Sequence, residues 1–214
     1  MLTKRILPGV ISIILGLMLI PCTFATAAEV VPADDSKELH ITDYMEFYNN
    51  QSEYYSLAKQ GYRILIDVPD EYEDLEESRL NNLASNTQKD LLVPAMARGT
   101  SWPTRTHDVI KDGMYFFEGS TSNYPLYTNY AFVGDYAYFA NFHNRSSTYT
   151  LTYRAIYSTP GSLFNPGEVK YGKYSSVGLN QTVLDYFTTD STTQRIFFEF
   201  LDPCTFEGWI ARED

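Results

Sequence analysis

Strict alternation of apolar and polar side chains between residues 148 and 157 limits the possible folds of this chain more than any other feature. One face of this segment carries Tyr149, Leu151, Tyr153, Ala155 and Tyr157. The opposite face carries Thr148, Thr150, Thr152 and Arg154. A period of two predicts a β-strand with one buried face and one solvated face. Such a strand suits one layer of a two-sheet sandwich.

The same β character extends over residues 103–214, where aromatic and β-branched runs are separated by Gly, Asn, Pro and Asp. We expect strands near residues 107–111, 114–118, 126–133, 136–142, 148–157, 168–177, 182–187 and 194–212, the last of these broken at Asp202-Pro203. Asp112-Gly113 and the runs 144–146 and 190–192 read as turns. The loop 158–167 reads as a long crossover. The predicted fold is mainly β, a jelly-roll-like antiparallel β sandwich.

Residues 28–102 form an acidic, largely helical segment that ends in a linker. A lead-in at 29–37 precedes a helix that begins after the N-cap Asp43, pairs it with Glu46 and ends near Gly61. Residues 62–68 are a candidate strand. Pro69 opens a second helix whose first turn is rich in carboxylates, which the helix dipole stabilises there. The apolar stripes of both helices are narrow, so we expect them to pack on the β domain.

A signal peptide occupies residues 1–27. Lys4 and Arg5 provide the positive start, and the run 6–20 is apolar and uncharged. Pro21 ends that run, and the small residues Ala25 and Ala27 match the pattern that a signal peptidase accepts. Cleavage is expected after Ala27, or after Ala28. The mature protein is therefore predicted to be secreted and extracellular, either released or associated with the cell wall.

Two other interpretations of this N-terminal segment remain, a membrane anchor and a lipoprotein signal. The run 6–24 approaches the length of about 20 apolar residues that a membrane-spanning helix needs, although Pro8, Gly9 and Pro21 weaken it. Cys22 resembles the modified cysteine of a lipoprotein, but Pro21 replaces the small residue that normally precedes it. Cleavage fits the pattern better, and it predicts no stable membrane insertion of the mature protein.

Charge and cysteine content restrict the partners. The chain has 16 basic and 27 acidic residues, a net charge of −11. Loss of Lys4 and Arg5 leaves 14 basic residues against 27 acidic ones, or −13. This balance argues against nucleic acid as a partner. With Cys22 removed, Cys204 is the single cysteine, and its apolar setting predicts a buried free thiol.

A family resemblance accompanies the strand pattern. Its residues are the runs 113–119 (GMYFFEG), 126–130 (LYTNY), 149–153 (YTLTY), 197–200 (FFEF) and 206–210 (FEGWI). They resemble small exported β-sandwich domains of Gram-positive bacteria, similar in layout to the pre-peptidase C-terminal type. The likeness covers about half of the chain. It implies a jelly-roll-like sandwich with an accessory or binding role in a bacterial envelope, and it assigns no functional residue.

Searches for catalytic and metal motifs find none in the sequence. His40, His107 and His143 lack the spacing of metal ligands, the acidic run 70–77 lacks the glycine of a calcium loop, and there is no Gly-x-Ser-x-Gly. We therefore expect no metal, no cofactor and no enzymatic activity. Of the two tryptophans, Trp209 is expected in the core, and Trp102, beside Pro103, is the candidate for stacking on a ligand.

The sequence favours an exported, non-catalytic binding module at the cell envelope that recognises a wall glycan or a surface protein. The alternative is a secreted partner-directed protein, such as an inhibitor, immunity factor or effector, that acts through its acidic helices. A glycan binder would retain binding as the fragment 103–214, whereas a partner-directed protein would depend on residues 43–92 and release its partner in salt. An enzyme would show a pocket that holds a carboxylate or histidine with a strongly shifted pKa.

Overall fold

The computed structural model describes residues 37–83, 90–91, 102–120, 125–160 and 167–213. The protein is mainly β, with two mixed sheets packed together. Its strands are β1 Lys37–Ile41, β2 Tyr62–Asp67, β3 Asp90–Leu91, β4 Arg105–Asp108, β5 Tyr115–Ser120, β6 Leu126–Tyr127, β7 Tyr130–Val133, β8 Ala137–Asn144, β9 Leu151–Ser158, β10 Val169–Tyr171, β11 Ser175–Val177, β12 Gln181–Thr188, β13 Arg195–Leu201 and β14 Thr205–Arg212. The helices are α1 Tyr44–Asn49, α2 Gln51–Lys59 and α3 Glu73–Leu83, with a 3-10 turn at Asp70–Tyr72.

Among the described residues, each sheet has seven strands. Sheet A has the order β1-β2-β12-β8-β14-β5-β3. Sheet B has the order β10-β9-β13-β7-β4, with β11 also on β9 and β6 also on β13. Three pairs are parallel: β1 with β2, β3 with β5, and β4 with β7. The expectation of a purely antiparallel sandwich is therefore wrong at the sheet margins. The β1–β2 pair is parallel because α1 and α2 form the crossover between its strands.

The core between the two sheets follows the predicted alternation. Leu151, Tyr153 and Ala155 of β9 all point into it. Tyr149 does not, because it precedes β9 and is 49% exposed. The phenylalanines of the facing strands meet edge to face, with the rings of Phe142 and Phe198 5.1 Å apart and those of Phe142 and Phe200 5.3 Å apart. These contacts fix how the sheets face each other.

The helices form a third layer on the outer face of sheet A, as their narrow stripes predict. The Asp43 carboxylate accepts hydrogen bonds from the backbone N–H groups of Met45 and Glu46, which confirms it as the N-cap of α1. The single helix expected over 43–61 is divided at Asn50, and Gly61 follows α2 with φ of +86°. Tyr44, Phe47, Tyr54 and Ala58 share a second core with Trp209 of β14, which is 2% exposed as predicted.

A buried ion pair, here called the helix-side pair, joins α3 to this layer. The Arg79 guanidinium donates from Nε to Oε2 of Glu76 at 2.7 Å and from Nη2 to Oε1 at 2.6 Å. The Tyr44 hydroxyl donates to Oε2 at 2.7 Å. Burial tends to raise the pKa of Glu76, but Arg79, His143 and the hydrogen bonds outweigh it and lower the pKa. Both oxygens of this carboxylate are satisfied inside the protein.

The N-terminal segment contributes strands as well as helices. β2 pairs with β12 from Gln181 opposite Asp67 to Leu184 opposite Ile64, and β1 adds the edge strand beyond it. The sequence predicted the strand at 62–68. It did not predict β1, because residues 29–37 were interpreted only as a lead-in. Residues 103–214 thus contain a sheet A that lacks its β1–β2 edge.

Candidate functional site

A pocket of about 540 Å³ opens at one edge of the sandwich, between β2 and β12 of sheet A and β9 of sheet B. The bends that follow α2 and β10 complete its mouth. Its lining consists of Ala58, Lys59, Gln60, Gly61, Tyr62, Arg63, Tyr153, Arg154, Ala155, Tyr157, Gly172, Lys173, Ser175, Asp185, Tyr186, Phe187 and Thr188. The volume falls within the range of about 300–1,000 Å³ typical of small-molecule sites.

Three side chains, here called the pocket triad, form the polar floor: Arg63, Tyr153 and Asp185. They come from β2, β9 and β12, and each is exposed by less than a tenth. The Tyr153 hydroxyl donates a hydrogen bond to Oδ2 of Asp185. The Arg63 Nε atom lies 3.7 Å from Oδ1 of the same carboxylate. The triad therefore links the two sheets where the sandwich is open.

The guanidinium of Arg63 is held from two further sides. Its Nη1 donates to Oε2 of Glu38 at 2.8 Å, and its Nη2 donates to the backbone carbonyl of Ser176 at 2.5 Å. Its buried Nε makes no hydrogen bond to any residue that the structure describes. One N–H of a fixed cation is thus left beside the carboxylate of Asp185.

Burial sets the ionisation of the triad. It raises the pKa of Asp185, while the charge of Arg63 and the hydrogen bond from Tyr153 oppose that rise. Burial and the charge of Asp185 raise the pKa of the Tyr153 phenol well above its usual value. Burial alone would lower the pKa of Arg63, but Tyr153 and Asp185 outweigh it and keep the guanidinium charged. Asp185 is thus a pocket carboxylate with a raised pKa, although its partners hold it in place.

Beside the pocket lining, the outer face of sheet B carries an aromatic cluster around Arg154, here called the rim. The Arg154 guanidinium lies between two rings, 4.5 Å from the centroid of Tyr171 and 4.4 Å from that of Tyr174, as in cation–π contacts. Its Nε donates to Oε2 of Glu199 at 2.5 Å, and the Tyr174 hydroxyl donates to the same oxygen at 3.0 Å. Tyr174 remains 47% exposed. Tyr171 and Tyr174 do not line the pocket themselves, but Tyr174 lies between the lining residues Lys173 and Ser175 in the chain.

Gly172 sets the shape of this rim. It separates β10 from β11, and its N–H donates to the backbone carbonyl of Ala155 at 2.9 Å. A Cβ at Gly172 would lie 3.0 Å from that same carbonyl oxygen, closer than nearly all Cβ contacts in proteins. The close approach lets the chain cross the edge of β9, so that Lys173 and Tyr174 follow at the mouth of the pocket.

The ligand candidate Trp102 lies beside this site rather than in it. Its ring packs on Phe197 at 5.7 Å and on Tyr171 at 6.4 Å, on the outer face of sheet B. It shares Tyr171 with the rim, but it does not line the pocket. Cys204 is a buried free thiol, as predicted. The cleavage residues Ala25, Ala27 and Ala28 lie outside the described residues.

The histidines are dispersed through the described fold. The Nε2 atom of His40 lies 2.7 Å from Oδ1 of Asp67, and that of His107 lies 2.8 Å from the carbonyl of Gly113. His143 is buried under the helices, where desolvation lowers its pKa. Within the described ranges, no group of three His, Cys, Asp or Glu side chains is placed to hold a metal ion.

Sequence reasoning missed the whole pocket triad, yet a signal was present. Arg63 interrupts the apolar run 62–68, and Asp185 stands between Leu184 and Tyr186 in a strand. On β12, Asp185 shares the inward face with Val183 and Phe187. A charge at an inward position needs a partner, since isolated buried charges are costly. That rule identifies Arg63 and Asp185 as unusual in their strands, but it does not predict that they contact each other.

No helix among the described residues is long and apolar enough to cross a membrane. Comparisons with protein-family models, with curated proteins and with solved structures each found no match.

Proposed function

We propose that this protein is an exported, non-catalytic binding module that recognises a glycan of the cell envelope through the pocket at its sandwich edge. One observation carries the proposal: a pocket of about 540 Å³ with a charged, hydrogen-bonding floor and aromatic walls. Saccharides combine dense hydroxyl groups with apolar ring faces. A few fixed polar groups among aromatic side chains suit that chemistry.

Binding fits the triad better than catalysis does. General acid–base chemistry on a glycoside uses a pair of carboxyl groups, about 5–9.5 Å apart. Among the described residues that line the pocket, Asp185 is the one carboxylate, and none is a histidine. Tyr153 and Arg63 both constrain Asp185. A fixed carboxylate of this kind is suited to holding a hydroxyl group.

The proposal also includes the predicted processing, location and fold of the protein. It includes cleavage of residues 1–27, an extracellular or wall-associated location, and a jelly-roll-like layout as in the exported β-sandwich domains that the sequence resembles. From β8 onward the chain passes back and forth between the sheets, with β8, β12 and β14 in sheet A and β9 and β13 in sheet B. This alternation of the chain between the two sheets supports the prediction of a jelly-roll-like fold.

The test is co-sedimentation of the intact protein with purified cell-wall material, using a variant that obstructs the pocket. Thr188 lines the pocket and is exposed, so Thr188→Trp adds an indole at the mouth without disturbing the core. Thr148 is also exposed but lies outside the lining, and Thr148→Trp is the matched control. We expect the wild type and Thr148→Trp to sediment and Thr188→Trp to remain in solution.

Two results would contradict the proposal: no sedimentation of the wild type, or equal sedimentation of Thr188→Trp. The second result, combined with release in moderate salt, would favour the partner-directed alternative. An observation supports that alternative too, because Glu71 and Asp74 project from the 3-10 turn and from α3 with exposed carboxylates. Exposed carboxylates attract a cationic partner in a salt-dependent way.

A further inference from the structure

We propose that the pocket triad binds a hydroxyl group of an uncharged saccharide, so that neutral sugars, rather than uronic acids or amino sugars, are the ligand class of this pocket. This inference rests on the proposed function and specifies its ligand.

The gap between Arg63 and Asp185 requires a group that both accepts and donates hydrogen bonds. Arg63 Nε is a donor with no acceptor among the described residues, and Asp185 Oδ1 is an acceptor 3.7 Å away. Arg63 Nε is covered from solvent, so an oxygen about 2.8 Å from each atom would complete a triangle on that 3.7 Å base only after the side chains that cover Nε move aside. A hydroxyl can accept from Nε and donate to Oδ1 at once.

Charged ligand groups fit this gap poorly. A carboxylate would accept from Arg63, but it has no proton to donate and would meet the negative charge of Asp185. An ammonium would donate to Asp185 but would meet the guanidinium. A neutral hydroxyl satisfies both side chains without adding a charge to a buried position, where uncompensated charge is costly.

The other cations of the lining do not provide an anion site. Lys59 Nζ lies 2.9 Å from Oε1 of Glu213, and Arg154 Nε lies 2.5 Å from Oε2 of Glu199. Arg63 is already paired with Glu38. Lys173 is the fourth cation of the lining. Because three of the four cations have carboxylate partners, these partners offset most of the positive charge of the pocket wall. The net charge of −11 on the chain opposes anionic ligands at longer range.

The walls above the gap are aromatic. Tyr62, Tyr157 and Phe187 all line the pocket and are all partly exposed. They can cover the apolar face of a sugar ring while a hydroxyl at the ring edge reaches the triad. Tyr153 has a different part, because its hydroxyl holds Asp185 Oδ2 and leaves Oδ1 turned toward Arg63. It is a positioning residue for the carboxylate.

The experiment measures binding of the intact protein to a panel of monosaccharides by ligand-observed NMR and calorimetry. The neutral probes are glucose, galactose and N-acetylglucosamine. The charged probes are glucuronic acid, galacturonic acid and glucosamine. We expect at least one neutral sugar to bind at least tenfold more tightly than any of the charged ones. Tighter binding of a uronic acid or of glucosamine would overturn the inference.

Two variants test the assigned roles. Asp185→Asn keeps the shape of the side chain but removes its charge, so we expect at least tenfold weaker binding of the neutral sugar and a higher ratio of uronic acid to neutral sugar affinity. Tyr153→Phe should weaken the same sugar without changing that ratio. Unchanged affinity in Asp185→Asn, with an unchanged melting temperature, would overturn the inference.

The outcomes separate this inference from the proposed function. If the wild type sediments with cell walls in a Thr188-dependent way but binds no monosaccharide of the panel, the inference fails and the wall-binding function stands. If it neither sediments nor binds any probe, both fail.

Discussion

The two buried ion clusters of this protein differ in how completely the fold satisfies their carboxylates, although each guanidinium has one buried nitrogen, Arg79 Nη1 or Arg63 Nε, without a hydrogen-bond partner among the described residues. In the helix-side pair, Glu76 accepts two hydrogen bonds from Arg79 and one from Tyr44, and it is fully buried. In the pocket triad, Asp185 accepts one hydrogen bond from Tyr153, and its contact with Arg63 is 3.7 Å long. The first cluster lies under α3, and the second lies at the floor of an open pocket.

The pKa values of the two carboxyl groups reflect this difference. Burial tends to raise both. Charge and hydrogen bonding reverse the effect at Glu76, whose pKa is lowered, but not at Asp185, whose pKa is raised. Burial of a carboxylate is therefore a weak indicator of function by itself. Whether the protein completes the hydrogen bonds of the buried group separates a structural pair from a candidate ligand site.

The largest expected effect comes from breaking the helix-side pair. Arg79→Met removes the cation and leaves Glu76 buried with only Tyr44 and the more distant His143 to stabilise it. Loss of one partner from a buried pair typically costs about 3–5 kcal/mol. We expect a loss of that size in the free energy of unfolding, measured by urea denaturation.

The control for this prediction removes both charges. The double variant Glu76→Leu, Arg79→Met leaves no uncompensated carboxylate, so it should recover a large part of the loss. If the single variant lost less than about 1 kcal/mol, Glu76 would be solvated or protonated in the variant. The helix-side pair would then not be an example of a fully hydrogen-bonded carboxylate with which the pocket triad can be compared.

The sequence predicted most of the β-strands because their signal is local. The turn at Asp202-Pro203 separates β13 from β14 as expected, and Asp202 adopts a positive φ of 65°. The run 126–133 is divided into β6 and β7, and the run 168–177 into β10 and β11. These interruptions depend on which strand each segment pairs with, and alternation within one segment carries no such information.

The candidate site could not be predicted in the same way because it depends on long-range pairing. Arg63 and Asp185 meet because β2 pairs with β12, and Tyr153 reaches them from the opposite sheet. The two residues lie more than a hundred positions apart in the chain. Trp102 was identified from its residue type alone, and it proved to be a neighbour of the rim. The residue type of Trp102 indicated ligand stacking, but the strand topology determined where the candidate site lies.

A second, smaller effect concerns the pH dependence of stability, which should have opposite signs at the two carboxyl groups. The lowered pKa of Glu76 stabilises the fold above its ordinary value of 4.5, and this contribution is lost as the pH falls through the folded-state pKa. The raised pKa of Asp185 imposes no cost below 3.8, and a cost that grows as the pH rises from there to the folded-state pKa.

Urea denaturation of wild type, Glu76→Gln and Asp185→Asn between about pH 3 and pH 7 tests these signs. On acidification, the stability difference between wild type and Glu76→Gln should shrink. Over the same change, wild type should gain stability relative to Asp185→Asn. If both differences moved in the same direction, the contrast between a satisfied and an unsatisfied carboxylate would be refuted.

The smallest expected effect distinguishes the rim of the pocket from the aromatic patch beside it. Neither ring lines the pocket, but Tyr174 stacks on the lining residue Arg154 and is 47% exposed, whereas Trp102 packs on Phe197, which is not a lining residue. An aromatic contact is worth about 1 kcal/mol, so Tyr174→Ala should weaken saccharide binding about fivefold. Trp102→Ala should leave affinity within about twofold and instead lower stability by about 1 kcal/mol through the lost ring contacts.

Calorimetric titration of both variants with the same sugar, together with their urea midpoints, decides between these two locations. Tyr149→Ala is the matched control, since Tyr149 is 49% exposed and, unlike Tyr174, has no lining residue next to it in the chain. The reverse pattern, with binding lost in Trp102→Ala and retained in Tyr174→Ala, would place the ligand at Trp102 and not at the pocket. The open ion cluster would then be a second structural element, and the incomplete hydrogen bonding of Asp185 would reflect only its position at a sheet edge.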